Sequence, residues 1–269
     1  MKKVLVTGHE GFVGSNVCEA LKDEYEIERL DIDDDFDEWC RKMKDAVRKV
    51  EGIVHIGAIS ENQSQRNDIY LWNTHATYKL AQEARHPSIK RFIYFSSYHV
   101  EASADDHQSR SHYTWSKALA ETYLRDICPF ATILRPGVMW GREQKKRRGA
   151  ESVPYMLATH SIKYLFRNWN RNYVHIDDVI KAIQLCLTYL LPGTFHLFDP
   201  ELWTNEMLAE LVEWDAYEWK TPEEVLNNVS PHVVKLLSLP LPNWKPTIDM
   251  RQELPRLEKE NARNHSLRG

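Results

Sequence analysis

Short runs of β-branched and aliphatic residues alternate with amphipathic stretches over the first two-thirds of the chain. That rhythm predicts a parallel sheet covered by helices on both faces. The apolar run "KVLVTG" (3–8) ends in glycine, and a helical pattern follows through Val13, Val17, Ala20 and Leu21. "YEIERLDID" predicts a second strand and "EWCRKMKDAVRKV" a second helix, while "GIVHIGA" is a third strand. A helix near 68–85 closes at Pro87, and "KRFIYFSS" follows as a strand. Tyr113 opens a helix to about Asp126. "FATILRPG" predicts a strand, "YVHIDDVIKAIQLCLTYL" a strand end, an N-cap and a helix, and "GTFHLF" a last strand.

Two regions break the rhythm. Residues 142–170, with "REQKKRR", and 200–255, rich in tryptophan and proline, predict a small, mostly helical C-terminal lobe with helices at 204–214 and 222–228. The sheet domain would take 1–141 and 171–199, and the polar tail 256–269 is expected to be partly disordered. The expectation is therefore an α/β, doubly wound parallel sheet with a small substrate lobe.

Composition narrows the class. With 269 residues and 42% hydrophobic content the chain can bury a sizeable core, and a net charge of -4 gives no general pull toward nucleic acid or an acidic membrane. No apolar run reaches membrane-spanning length, and "MKKVLVTGHEGF" lacks the apolar region of a signal peptide. Cys18, Cys40, Cys128 and Cys186 form no CxxC, so reduced thiols and a cytoplasmic setting are expected. The twelve histidines show no ligand spacing, and no metal is expected.

Candidate chemistry begins at "VTGHEGFVGSN". Gly8, Gly11 and Gly14 lie at a strand-to-helix junction, where a tight turn and a helix N-terminus suit a pyrophosphate. The architecture is then of the Rossmann type. Asp31 ends the second strand at about the 20-residue spacing at which a carboxylate binds the adenosine ribose, and it would repel a 2′-phosphate, favouring NAD. In such sheets ligands lie beyond the strands' carboxyl ends, which here carry Ser96 and Ser97, Gly57 and Ala58, and Pro136 and Gly137. Tyr113 and Lys117 share a helix face one turn apart. A phenol with a pKa of about 10 needs roughly 4 kcal/mol of help to act as a base near neutrality. The Lys117 ammonium and a nicotinamide cation would supply it, with Ser97 holding the substrate oxygen.

Taken in order, "TGHEGFVGSN", "VHIGA", Asn73, "FSS", "YTWSK", "LRPGVMWG" and "RNYVHIDDV" resemble the extended short-chain dehydrogenase/reductases, and among them the NAD-dependent epimerase/dehydratase family. The resemblance covers about residues 1–200. It implies Ser97, Tyr113 and Lys117 as a catalytic trio, with Lys117 also on the nicotinamide ribose. It places Gly8, Gly11, Phe12, Val13 and Gly14 at the pyrophosphate, Asp31 at the ribose, Ala58 in the cofactor cleft and Asn73 as a buttress of the site. Arg171 would meet a substrate diphosphate, and His99 flanks the pocket. NAD as cofactor, a nucleotide sugar as substrate and a homodimer through the helices at 68–85 and 113–126 follow from the same resemblance.

Departures from the family pattern bear on the reaction. Asp31 and Ile53 are too close for the usual extra strand, and one of Asp33–Asp37 would replace its adenine-contacting aspartate. Tyr98 and His99 stand where 4,6-dehydratases carry an Asp-Glu pair, which argues against dehydration. Val138 replaces a frequent asparagine, and the lobe is short. The leading expectation is an epimerase acting through a transient keto intermediate. The alternatives are a dehydrogenase or ketoreductase on a smaller alcohol, sugar acid or lactone, and a catalytically silent NAD-binding protein.

Overall fold

The computed structural model describes residues 2–32, 35–59, 66–102, 111–142, 152–167, 169–198, 201–221 and 239–266. In chain order the strands are β1 (Lys2–Thr7), β2 (Tyr25–Leu30), β3 (Gly52–His55), β4 (Arg91–Phe95), β5 (Thr132–Pro136), β6 (Val138–Trp140), β7 (Tyr164–Phe166), β8 (Asn170–Arg171), β9 (Tyr173–His175), β10 (Gly193–Leu197), β11 (Trp203–Thr204), β12 (Glu218–Lys220) and β13 (Leu239–Pro240). Seven of these form one parallel sheet in the order β13-β10-β5-β4-β3-β1-β2. Among the described residues the helices are α1 (Phe12–Leu21), α2 (Phe36–Val47), α3 (Arg66–Tyr70), α4 (Ala76–Glu83), α5 (His99–Ala102), α6 (His112–Ile127), α7 (Val153–Ala158), α8 (Ile176–Thr188), α9 (Asn205–Ala209) and α10 (Met250–Ser266). A π-turn at Leu71–His75 joins α3 to α4.

Side chains alternate across the sheet as the strand period requires. Val4, Val6, Val54, Ile93 and Leu134 pack under α1 and α8. Leu5, Ile53, Phe92, Tyr94 and Ile133 face the opposite way, toward α2, α4 and α6. The short path from Asp31 to Ile53 is filled by α2 alone, which leaves β2 at the sheet edge. A further strand outside β2 would need its own crossover, and no chain is left for one.

A third core gathers the lobe: Trp140, Tyr155, Leu157, Trp203 and Leu208 close on Met250, Leu254 and Leu257. Two-stranded ladders, β7 with β12 and β8 with β11, accompany its helices. The stretches at 145–148 and 222–228 lie outside the described residues. The tail departs from expectation, because residues 250–266 form one continuous helix. Its mean polarity hides a stripe one turn apart, and Leu254 and Leu257 are buried. Glu258 is buried beside them because it accepts the Glu213 and Trp214 N–H groups, at 3.0 and 3.1 Å, and pairs with His160 Nε2 at 2.9 Å.

Candidate active site

The glycine loop is compact for steric reasons. Gly8 has φ +72, and a Cβ there would lie 2.6 Å from Gly57 Cα, while one on Gly14 would lie 2.1 Å from Gly8 O. Gly11 caps α1 in extended conformation without a side-chain acceptor, so the Phe12 and Val13 amides begin the helix facing the loop as the positive end of its dipole. A Gly14→Ala protein is expected to lose dinucleotide retention, read as the 260 nm absorbance of the purified protein, because the loop backbone must move.

Asp31 lies at the mouth of this loop. Its Oδ2 accepts the Glu10 N–H at 2.9 Å and sits 3.1 Å from His9 Nδ1. A niche of about 10 Å³ beside it is lined by Gly8, Ile32, Trp39, Gly57, Trp72 and Ala76 among others. Within the acidic run, Asp35 is the N-cap of α2, accepting from the Asp37 and Glu38 amides, and Asp33 and Asp34 lie outside the described residues.

Behind the loop a buried relay ties β1, β3 and the kinked helix together. Thr77 Oγ1 donates to Asn73 O at 2.7 Å, so it accepts from His55 Nε2 at 2.8 Å; His55 Nδ1 therefore accepts from Thr7 Oγ1 at 2.7 Å. Burial, assisted by the Lys117 charge, pushes the imidazole down to about 3, so His55 is neutral, as those bonds require. Asn73 is buried at the π-turn. Its amide is engaged by Ile59 N and O, at 2.7 and 2.8 Å, and by Ser116 Oγ at 3.0 Å. It thereby clamps the segment carrying Ala58 to α6.

Ser97, Tyr113 and Lys117 are brought together. The Ser97 hydroxyl hydrogen-bonds the Tyr113 phenol and accepts the His99 N–H at 3.3 Å. Lys117 Nζ donates to Phe95 O at 2.7 Å and lies 5.9 Å from the centre of the Tyr113 ring. Burial pushes the phenol up to about 12, with the Ser97 hydrogen bond pulling it back. Burial likewise takes the amine down to about 7 against the opposing pull of Glu121. In the protein alone both groups thus favour their neutral forms.

This has a stability consequence. Between about pH 7 and 10.5 the unfolded chain carries the Lys117 proton and the folded one does not, so stability rises with pH across that window. Lys117→Met should flatten the rise, as measured by urea unfolding of the ligand-free protein near both ends of it.

Three successive residues at the β4 end address α6. Phe95 O takes Lys117, Ser96 Oγ donates to Glu121 and Ser97 meets Tyr113. Glu121 is then gripped by Arg135 through Nε at 2.9 Å and Nη2 at 2.6 Å, and Arg135 Nη1 reaches Glu101 at 3.0 Å. Sequence reading passed over this cluster. The available signal was an arginine inside the apolar strand "ILRPG", which demands a buried partner.

The other predicted residues border the same end of the sheet. The His99 ring packs on Tyr98 at 4.3 Å between centroids. The Arg171 guanidinium lies 4.2 Å from the centre of the Trp169 ring, and its charge reaches the Tyr98 and Tyr173 phenols. The Tyr98 hydroxyl is buried with no hydrogen-bond partner among the described residues. His112, next to Tyr113, lies 3.3 Å from the Tyr70 hydroxyl.

A glycine turn between β1 and α1, an acid ending β2 and a cleft at the carboxyl ends of a parallel sheet define a Rossmann-type dinucleotide-binding protein. Residues 4–195 match the NAD dependent epimerase/dehydratase family, and the chain belongs to that family. It is 30% identical over 190 residues to the mouse NADH dehydrogenase [ubiquinone] 1 alpha subcomplex subunit 9, mitochondrial, covering 66% of this chain and 48% of that protein. The chain thus spans about half the length of this relative. A Vibrio cholerae UDP-glucose 4-epimerase is 24% identical over 266 residues, covering 82% of this chain and 78% of that one. In fold, the chain is similar to the UDP-N-acetylglucosamine 4-epimerase from Methanobrevibacter ruminantium solved with UDP-N-acetylmuramic acid. The TM-score is 0.80 at 18% identity, over 98% of this chain and 99% of that one. Among the described residues, no helix is long and apolar enough to cross a membrane.

Proposed function

We propose that this protein is an NAD-dependent epimerase of a nucleotide-activated sugar, acting through a transient keto intermediate. The observation that carries the reading is the meeting of Ser97, Tyr113 and Lys117 at the end of β4, beside the Gly8–Gly14 turn. Bound NAD would supply a hydride acceptor for the carbinol carbon and return the hydride afterwards. Tyr113 takes the hydroxyl proton and later gives one back. Ser97, whose hydroxyl meets the Tyr113 phenol and accepts the His99 N–H, would hold the substrate oxygen beside Tyr113. A nicotinamide cation beside the phenol would favour phenolate, and Lys117, on the same helix face, is the proposed contact of the nicotinamide ribose. Arg171, braced on Trp169, is the proposed diphosphate contact. Gly8, Gly11, Phe12, Val13, Gly14, Asp31 and Ala58 are the proposed cofactor residues. Asn73 holds their loop in place.

Val138 and the short lobe support a second reading, a dehydrogenase or ketoreductase on a smaller alcohol. The mouse relative's name as a subunit of NADH dehydrogenase supports a third, a silent dinucleotide-binding subunit. Assays against a panel of UDP- and dTDP-sugars separate the three. Epimer formation without net NADH supports the first reading, and net NADH the second. Retained NAD with no conversion of any sugar or small alcohol favours the third.

The groove between the 66–83 helical segment and α6, lined by Tyr70, Leu71, His75, Tyr78 and Tyr123, is the proposed homodimer face. Leu119 and Tyr123 stand exposed beside or within it. Tyr123→Glu should shift the sedimentation coefficient to that of a monomer, and an unchanged coefficient would dismiss this face.

A further inference from the structure

The acid that should exclude 2′-phosphorylated dinucleotides is not a lone negative charge. Asp31 Oδ2 faces the His9 imidazole at 3.1 Å, and the Glu10 amide holds the same oxygen at 2.9 Å. His9 lies in the glycine turn itself, between the residue that begins the turn (Gly8) and the residue that caps α1 (Gly11). Both side chains are partly open, 27% for His9 and 21% for Asp31, so a ligand at the acid also reaches the imidazole. Arg29, two residues before Asp31 on the edge strand β2, is exposed and acts on the same neighbourhood: its charge and that of Asp31 both bear on Cys18. Among the described residues, the charged groups around this corner are thus Asp31, Glu10, Arg29 and, when protonated, His9.

A carboxylate selects a ribose 2′-hydroxyl in two ways: it accepts its hydrogen bond and it repels a phosphate in its place. The second effect is electrostatic and depends on the net charge of the corner. An imidazolium at 3.1 Å makes Asp31 one half of a neutral pair and puts a cation where a 2′-phosphate would need one. The hydrogen-bonding role survives, because the Glu10 amide keeps the carboxylate oriented.

We propose that His9 is a specificity-determining residue that relaxes the cofactor preference set by Asp31, so that the site takes 2′-phosphorylated as well as 2′-hydroxyl dinucleotides. This rests on the dinucleotide reading of the cleft, but on none of the proposed catalytic chemistry. Glycine-turn chemistry explains the pyrophosphate; it does not explain an imidazole set against the ribose acid.

The test is calorimetric titration of the protein with NAD+ and with NADP+ at about pH 6. The wild type should bind both, with affinities within about tenfold of each other. His9→Gln should weaken NADP+ by about tenfold while leaving NAD+ nearly unchanged, and His9→Lys, which restores a cation, should recover NADP+. In an Asp31→Asn background the same His9→Gln change should still weaken NADP+ without altering NAD+. Thermal melts confirm that each variant is folded. An NAD+/NADP+ ratio that His9→Gln leaves unaltered overturns the inference. Failure of the wild type to bind either dinucleotide instead overturns the reading of the cleft, and the inference falls with it. The two failures are distinct, because in the first case NAD+ still binds.

Discussion

A Tyr113→Phe protein should keep its fold and its bound dinucleotide while losing about a thousandfold in turnover, the size of effect expected when a positioned acid–base group is removed. Phenylalanine fills the same space, so the packing of α6 is unchanged. What disappears is the one O–H that both meets Ser97 and can exchange a proton with the substrate hydroxyl. The Lys117 bond to Phe95 O does not depend on that phenol and stays in place. Product formation should be measured by chromatography, with bound dinucleotide quantified after denaturing the protein. Unaltered turnover would remove Tyr113 from the acid–base role. Retained dinucleotide with lost turnover separates chemistry from binding.

The largest stability effect is expected at Arg135. Arg135→Met removes the guanidinium shared by Glu101 and Glu121, whose carboxylates are nearly inaccessible, at 0% and 1%, and leaves only Arg125 as a cation against Glu121. Stranding buried charge in this way costs about 3–5 kcal/mol, against at most about 1 for an exposed pair. Urea unfolding should show it as a lower midpoint. Arg135→Met combined with Glu101→Gln and Glu121→Gln should recover much of the loss, because the buried negative charges go with it. A single-variant loss below about 1 kcal/mol would mean that the cluster is not the clamp between β4, β5, α5 and α6 described above. The same cluster holds Ser96 beside Ser97, so a loosened cluster should also lower turnover.

Much of the sheet was legible before any coordinates, because each strand is a short apolar run ended by glycine or a polar residue, and each helix repeats apolar positions one turn apart. The tail was not. Averaged polarity concealed the Leu254 and Leu257 stripe, which has meaning only against Tyr155 and Leu157. The surroundings of Lys117 were not legible either. Sequence spacing places the ammonium one turn away but says nothing of Phe95 O, which takes its hydrogen bond, or of the burial that drives both groups toward neutrality.

The sequence by itself determined the order of the main strands and helices, the glycine turn and the acid after β2, because these depend on local conformation and on residues close in the chain. Only the tertiary structure decided which side chains share one environment. It set His9 against Asp31, Asn73 behind the loop, and Arg135 between Glu101 and Glu121. Those pairings join segments far apart in the chain, and their energies depend on burial and on distances of about 3 Å that a one-dimensional pattern does not carry.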